Sequence, residues 1–513
     1  MKKYAIILLL TQFGFSQAPA LEWQKCLGGS NYDISTSIEQ TTDGGYIVAG
    51  YTASNNGDVS GVHGGSDAWV VKLSSSGMLE WQKAYGGSGS ETAQNIQQTT
   101  DGGYIVACTT NSANGDVTGI HGNGGTDGWL MKLSSSGTIE WQKVLGGFNN
   151  DYSDWVQQTP DGGYIVACTT NSTDGDVLGI HGTGATSDAW VVKLSNLGLI
   201  EWQKALGGTA NDAVACIQTT TDGGYITTGY TNSNNGDVSG NHGSTDIWVV
   251  KLSSLGLIEW QKALGGTAYD SSKSVLQTTD GGYVLACNTG STDGDVSGNN
   301  GNWDAWIVKL SSLGTLEWQK AFGGSESESA LSIKKTTDGG YIVTGFANST
   351  NGDVTGNHGL TDVWILKFSS SGTLQWQKAI GGEGNESSYS IQPTTDGGYI
   401  LAGYASYDNG DVSGNHGSFD YWVVKLGTDI LVNTTLTNQL FKIYPNPTAF
   451  VLYFQNHSNS SIDNIIVTDL AGKIVLVQSE NSNQINVEKL ARGMYVIQVF
   501  SGEEKVTHKF VKE

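Results

Sequence analysis

From residue 21 onward, apolar and polar positions alternate in short runs separated by Gly-rich turns, and a period of two predicts half-buried β-strands. In one representative stretch the runs are residues 95–99 and 104–107, joined by Thr-Asp-Gly-Gly, then 129–133 and 139–143, joined by Ser-Ser-Ser-Gly. Each pair reads as a hairpin. A long Asn/Gly/Asp loop separates the two hairpins, and no run carries the period of an amphipathic helix.

The pattern repeats. Trp-Gln-Lys recurs at Trp23, Trp81, Trp141, Trp202, Trp260, Trp318 and Trp376, with spacings of 58, 60, 61, 58, 58 and 58, so seven modules fill residues 21–426. Four short strands per module suit the blades of a propeller better than the short coils of a β-helix. The first module opens on a strand without its hairpin mate, residues 21–25, and the seventh ends on a mate without its partner, residues 421–426. Pairing them removes both exposed edges. The expected fold is therefore all-β, a seven-bladed β-propeller with four strands per blade, closed by the N-terminal outer strand.

Strand parity places the two tight turns of each module on one face and the long loop, with the crossover after each Gly-Gly, on the other. The distance from Asp58 to Asp67 is nine residues, from Asp116 to Asp127 eleven and from Asp176 to Asp188 twelve, which confines length variation to the long-loop face. Fourteen of the 16 Trp occupy two fixed sites per module and read as core. Trp155 falls on an inner strand and Trp303 in a long loop, where it is a candidate for stacking on a sugar.

Three acidic sites recur on the long-loop face. The first follows the Gly-Gly: Asp33, Glu91, Asp151, Asp212, Asp270, Glu328 and Glu386. The second and third are Asp58 and Asp67, Asp116 and Asp127, Asp176 and Asp188, Asp237 and Asp246, Asp295 and Asp304, Asp353 and Asp362, Asp411 and Asp420. One reading is turn chemistry, in which Asp bonds its own backbone beside Gly. The other is calcium, which takes carboxylates and carbonyls from such loops, although no module has the EF-hand spacing. His63, His121, His181, His242, His358 and His416 follow the second Asp, and Asn300 replaces His in module five, a swap that suits a structural hydrogen bond better than catalysis.

Composition narrows the function. A net charge of -23 and a single Arg, Arg492, count against nucleic acid as a partner. Five Cys cannot all pair within the chain, and Cys108, Cys168 and Cys287 stand where other modules have Gly, which suggests small buried slots. The recognised spacings of a hydrolase triad, a phosphate loop or a zinc protease are missing. Met1-Lys2-Lys3, an apolar run over residues 4–10 and Ala18-Pro19-Ala20 form a signal peptide pattern over residues 1–20, and no later run is long enough for a transmembrane span.

All seven modules resemble bacterial β-propeller repeats of the Gly-Gly…Asp…Asp-Gly-Gly-Tyr type. After a polar linker, residues 427–440, the repeat stops. Residues 441–513 contain Pro445-Asn446-Pro447, Gly472, Gly493, Tyr495 and Lys509 within Ile-Tyr-Pro-Asn-Pro-Thr, Asp-Leu-Ala-Gly-Lys, Arg-Gly-Met-Tyr and Lys-Phe-Val-Lys motifs. This segment resembles the type A C-terminal sorting domain of the Bacteroidetes type IX secretion system. The resemblance implies a small β-sandwich, passage through the periplasm to the cell surface or the medium, and the secretion machinery and its sorting protease as partners. The segment balances seven acidic with seven basic residues, whereas residues 21–426 carry 41 acidic and 17 basic ones, so its surface differs on charge alone. The resulting expectation is a secreted, non-catalytic module binding glycan or protein through the long-loop face or central channel. A polysaccharide hydrolase or lyase and a purely structural surface protein are the alternatives.

Overall fold

The computed structural model describes residues 17–122, 125–429, 441–456, 462–469, 473–479, 483–501 and 504–513. Most of the expected signal peptide, most of the linker and Gly472 lie outside the described residues. Every regular element among the described residues is a β-strand, and none is a helix long and apolar enough to cross a membrane.

The repeats build seven four-stranded antiparallel sheets. The first holds Asp33–Gln40, Tyr46–Thr52, Asp67–Leu73 and Leu79–Tyr85 in that order. The seventh takes Ser387–Pro393, Tyr399–Ala405 and Asp420–Leu426 from one end of the array and Leu21–Leu27 from the other. The expected pairing of the two ends is present, with Gln24 opposite Val424 and Cys26 opposite Trp422. Side chains repeat the pattern of the other sheets across this junction. Trp422 Nε1 donates to Gln24 Oε1 at 2.9 Å, as Trp69 Nε1 does to Gln82 Oε1 at 2.7 Å within the first sheet.

The sheets stack in a cycle. Each first strand touches the first strands of the sheets before and after it, and Ser387–Pro393 touches Asp33–Gln40 to complete the series. One apolar cluster joins Ile38, Val48 and Trp69 of the first sheet to Ile400, Tyr421 and Val423 of the seventh. The third strand, covered on both faces, is buried along its whole length, which explains its near-continuous apolar sequence. Its one cation, Lys72, runs its stem through the core and places Nζ 2.9 Å from Asp43 and 3.1 Å from Glu80, so the buried cation is paired.

First strands begin four residues earlier than the alternation predicts, at Glu91 rather than Asn95 in the second sheet. A bulge between Ala93 and Asn95 shifts the phase of the alternation there, so only the part beyond it keeps a clean period.

The described residues from Phe441 to Glu513 belong to a second compact unit. Phe441–Tyr444, Val451–Asn456 and Gln484–Asn486 form one sheet, and Ile474–Gln478, Asn464–Thr468, Gly493–Ser501 and Glu504–Lys512 form another. Leu452 and Phe454 of the first share a core with Ile465, Val467 and Ile497 of the second.

Candidate functional sites: the acid ring and the axial channel

The three recurring acids do different work. Asp33 is fully satisfied: Oδ2 accepts from Gly29 N–H and Ser54 hydroxyl, both at 2.8 Å, and Oδ1 accepts from the Thr52 hydroxyl. The second Asp closes on the crossover glycine, with Asp58 Oδ2 accepting from Gly28 N–H at 3.3 Å. The third is buried completely in all seven modules. Asp67 Oδ2 accepts from His63 N–H at 2.9 Å and lies 2.7 Å from His63 Nδ1, which gives the recurring His a structural partner within its own loop. In module five the backbone N–H of Asn300 makes the same bond to Asp304 at 3.0 Å.

The other oxygen of the third Asp, Oδ1, has no hydrogen-bond partner in any of the seven modules. It faces the first acid of the next sheet across the crossover glycine. A Cβ on Gly28 would stand 2.5 Å from Asp33 Oδ2 and 2.7 Å from Asp420 Oδ1, so only glycine fits between the two carboxylates. Burial, aided by the neighbouring charges of Glu328 and Asp353, pushes Asp304 up to about 6. Burial raises Asp188, Asp246, Asp362 and Asp420 in the same direction. Among the described residues, no three His, Cys, Asp or Glu side chains are placed to hold a metal ion. Two facing carboxylates fall well short of the roughly six to eight oxygens that calcium takes, so the donor set fits that ion poorly.

Trp303 is half-buried in its loop, its ring 5.1 Å from that of Tyr269, and its carbonyl accepts from Glu328 N–H at 2.7 Å. It is held in an aromatic contact rather than standing free.

At the axis, every first strand carries the same bulge, and its register shift spans one residue. The bulged residues are Thr36, Gln94, Asp154, Ala215, Lys273, Leu331 and Tyr389. A bulge re-aims its side chain, and all seven line a single cavity of about 340 Å3. No two of them are alike. Asp154 is pushed up to about 6 by burial, against the opposing charge of Lys273 and a 3.4 Å hydrogen bond from the Thr169 hydroxyl. Asp154 and Lys273 form no direct ion pair.

Trp155, next to the bulge, is shared between this cavity and a second one of about 210 Å3 lined by Glu39, Gln97, Gln157, Gln218, Lys334 and Gln392. Lys334 Nζ lies 5.5 Å from the centre of the Trp155 ring. The innermost strand of a sheet has unpaired backbone N–H groups, and side chains of the preceding sheet satisfy them here. Glu39 Oε2 accepts from Gln98 N–H at 2.7 Å, Gln97 Oε1 from Gln158 N–H at 2.7 Å and Gln157 Oε1 from Thr219 N–H at 2.8 Å. Burial pushes Glu39 up to about 7, against that hydrogen bond and the Lys334 charge.

The axial residues escape sequence reasoning except for Trp155, noticed only as a break in the pattern. The signal that finds them is the column of seven unlike residues three positions after the first recurring acid of each module.

In the C-terminal unit, Asn446, between Pro445 and Pro447, accepts from Val511 N–H through Oδ1 at 2.9 Å. Tyr495 donates to the Ala491 carbonyl at 2.9 Å and stacks on Phe510 at 5.7 Å. Gly493 pairs with Lys512 and the Lys509 backbone with Val496, so these motif positions belong to one hairpin.

Among solved structures, the chain is similar to hydrazine synthase of Kuenenia stuttgartiensis, with 9% identity and a TM-score of 0.45 over 73% of this chain and 94% of that one. It is also similar to the Pan2 WD40 domain of Neurospora crassa, with 9% identity and a TM-score of 0.43 over 82% of this chain and 98% of the other. A puromycin hydrolase matches at 10% identity and a TM-score of 0.44, over 86% of this chain and 62% of that one. Likenesses this distant say nothing about what the chain binds. No curated protein matches it significantly. Residues 442–513 match the family described as the secretion system C-terminal sorting domain, and this tail marks the chain as one exported by type IX secretion to the cell surface or the extracellular space.

Proposed function

We propose that this chain is an extracellular, non-catalytic glycan-binding module. In this reading residues 1–20 are a signal peptide, 21–426 a closed seven-bladed β-propeller, 427–440 a linker and 441–513 a β-sandwich sorting domain. The secretion machinery reads Pro445, Asn446, Pro447, Gly472, Gly493, Tyr495 and Lys509, and the sorting protease removes the domain.

The observation that carries the binding role is the bulge column. Seven modules that repeat their Trp, Lys and Asp sites carry seven different residues at the bulged position, and all seven line the axial cavity of about 340 Å3. A scaffold alone has no use for that divergence, whereas a single asymmetric ligand requires it. Aromatic faces at Trp155 and Tyr389, beside the amide of Gln94 and the charged groups of Asp154 and Lys273, suit a sugar that stacks and hydrogen-bonds at once.

A second reading has one observation in its favour. Asp154 has a raised proton affinity in a cavity it shares with Tyr389, as a general acid of a polysaccharide hydrolase or lyase would. A glycan array probed with the full secreted protein, run beside a polysaccharide-cleavage assay, separates the two. Retention of a glycan without turnover is expected; turnover establishes the enzyme, and silence in both assays leaves a structural surface protein.

A further inference from the structure

The axial cavity of about 210 Å3, lined by residues beyond the bulges toward the tight-turn ends of the first strands and so the lower of the two, has a lopsided chemistry. Gln97 and Gln157 have their amide oxygens fixed on backbone N–H groups of the next sheet. A backbone N–H can only donate, so the amide oxygen must lie there and the NH2 group is left with no protein acceptor. Gln218 and Gln392 line the same cavity without a side-chain partner, and Lys334 has no ion-pair partner among the described residues. The cavity thus presents the Lys334 ammonium and the NH2 groups of Gln97 and Gln157, whose amide oxygens are already taken.

Charge runs against the rest of the wheel. Residues 21–426 carry 41 acidic and 17 basic residues, yet a lysine stands in each axial cavity, Lys273 above and Lys334 below. The Lys334 ammonium rests 5.5 Å over the Trp155 ring, a cation–π contact that places a positive charge on the axis. Glu39 is the one carboxylate facing this cavity. One of its oxygens is already bound by Gln98 N–H, and burial holds its proton well above the usual carboxylate range, which blunts its opposition to Lys334.

The geometry points to an oxyanion pocket: the lower axial cavity, formed by Lys334 with the side-chain amides of Gln97, Gln157, Gln218 and Gln392, takes a carboxylate or sulfate group carried by a sugar. This rests on the axial glycan reading and deepens it to acidic glycans, with Trp155 available to stack on the same sugar from above. Carboxylates and sulfates accept several N–H bonds at once, and charge-assisted bonds of this kind are the stronger ones.

The test uses the full secreted protein and three oligosaccharides of equal length: an oligogalacturonate, a sulfated galactan and a neutral galactan. Calorimetry should show at least one acidic probe binding tenfold or more tightly than the neutral one, and which of the two wins identifies the anion. Lys334→Met keeps the stem over Trp155 and removes the charge, so it should abolish the preference, while Lys334→Arg should retain it. A neutral probe that binds as well, or an unchanged preference in Lys334→Met, overturns the pocket. If no oligosaccharide binds, sulfate decides: against chloride at equal ionic strength, it should raise the wild-type melting midpoint more than that of Lys334→Met. A rise equal in both proteins refutes the oxyanion site, whereas a rise lost in the variant sustains it and refutes only the glycan reading.

Discussion

Asp304→Asn should stabilise this protein at neutral pH, although it removes a buried charge from a position occupied by Asp in every module. Asp304 is fully buried, accepts one hydrogen bond from Asn300 N–H at 3.0 Å through Oδ2, and leaves Oδ1 without a partner. Gly323 separates that oxygen from Glu328 Oε2, and a Cβ on the glycine would strike both. Module five has no His to supply a compensating cation, because Asn300 stands in its place. Burial, with the charges of Glu328 and Asp353, lifts Asp304 from 3.8 to about 6. A carboxyl group raised in the folded state favours folding fully below its unfolded value and loses that contribution as pH rises through the folded one. The gap corresponds to about 3 kcal/mol of lost stability at pH 7.

An Asn keeps the acceptor for Asn300 N–H and turns an NH2 group toward Glu328, replacing repulsion by a hydrogen bond. The expected gain is about 1–3 kcal/mol at pH 7, falling toward zero near pH 4, where Asp304 already carries its proton. Denaturant unfolding of wild type and variant at the two pH values reads both numbers. A loss of stability at pH 7, or a gain of the same size at both pH values, refutes the reasoning. The experiment also bears on calcium, because a cation bridging the two carboxylates would reverse the sign, and chelator would then destabilise the wild type alone. Asp246→Asn is the control: it gives up the carboxylate charge that His242 faces at 2.7 Å and should gain less than Asp304→Asn.

The opposite face has the opposite pH dependence. Despite some cost of burial, the hydroxyl of a turn Thr, a Gly N–H and a buried Lys hold Asp43, Asp101, Asp161, Asp222 and Asp396 at about 2. The stability they contribute is present above their unfolded value and lost as pH falls through about 2, so the urea midpoint should peak near pH 4–5 and drop on both sides; a monotonic profile would contradict both assignments. Deleting Leu21–Leu27 strips the partner from Asp420–Leu426 and exposes a long apolar edge. The deleted protein should assemble or precipitate, as read by light scattering, and a stable monomer with an unchanged melt would show that the junction contributes little.

The wheel was legible because its rules act locally and recur. Trp-Gln-Lys spacing, turn residues and the unmatched strands at the two ends identify four strands per module and the closing pair without reference to anything distant. The bulge was not legible. It is a backbone feature, and at Ala93 to Asn95 it shifts the alternation by one residue, so the strand appears to start beyond it. Its column contains Thr, Gln, Asp, Ala, Lys, Leu and Tyr, which looks like noise until the strands are brought around one axis. The third acids were visible as a repeat, but their facing partner lies in the next module. Asp304 and Glu328 are neighbours because a crossover turns at Gly323, and spacing within a loop does not reveal that.

Repetition and function divide the residues of this chain between them. What recurs has a structural partner: each third-strand Trp bonds a Gln of the outer strand, each buried Lys pairs with acids or an amide, and each long-loop His or Asn bonds the third Asp. A ligand contacting those sites would meet the same chemistry seven times around the wheel. The axial positions break that equivalence. Asp154 and Trp155 come from the third sheet, Lys273 from the fifth, Lys334 from the sixth and Tyr389 from the seventh, so together they define one orientation about the axis. The tail requires only that the protein be exported and places no demand on the axis. In the proposed function, these five positions are where a ligand held outside the cell would meet a single orientation of the wheel.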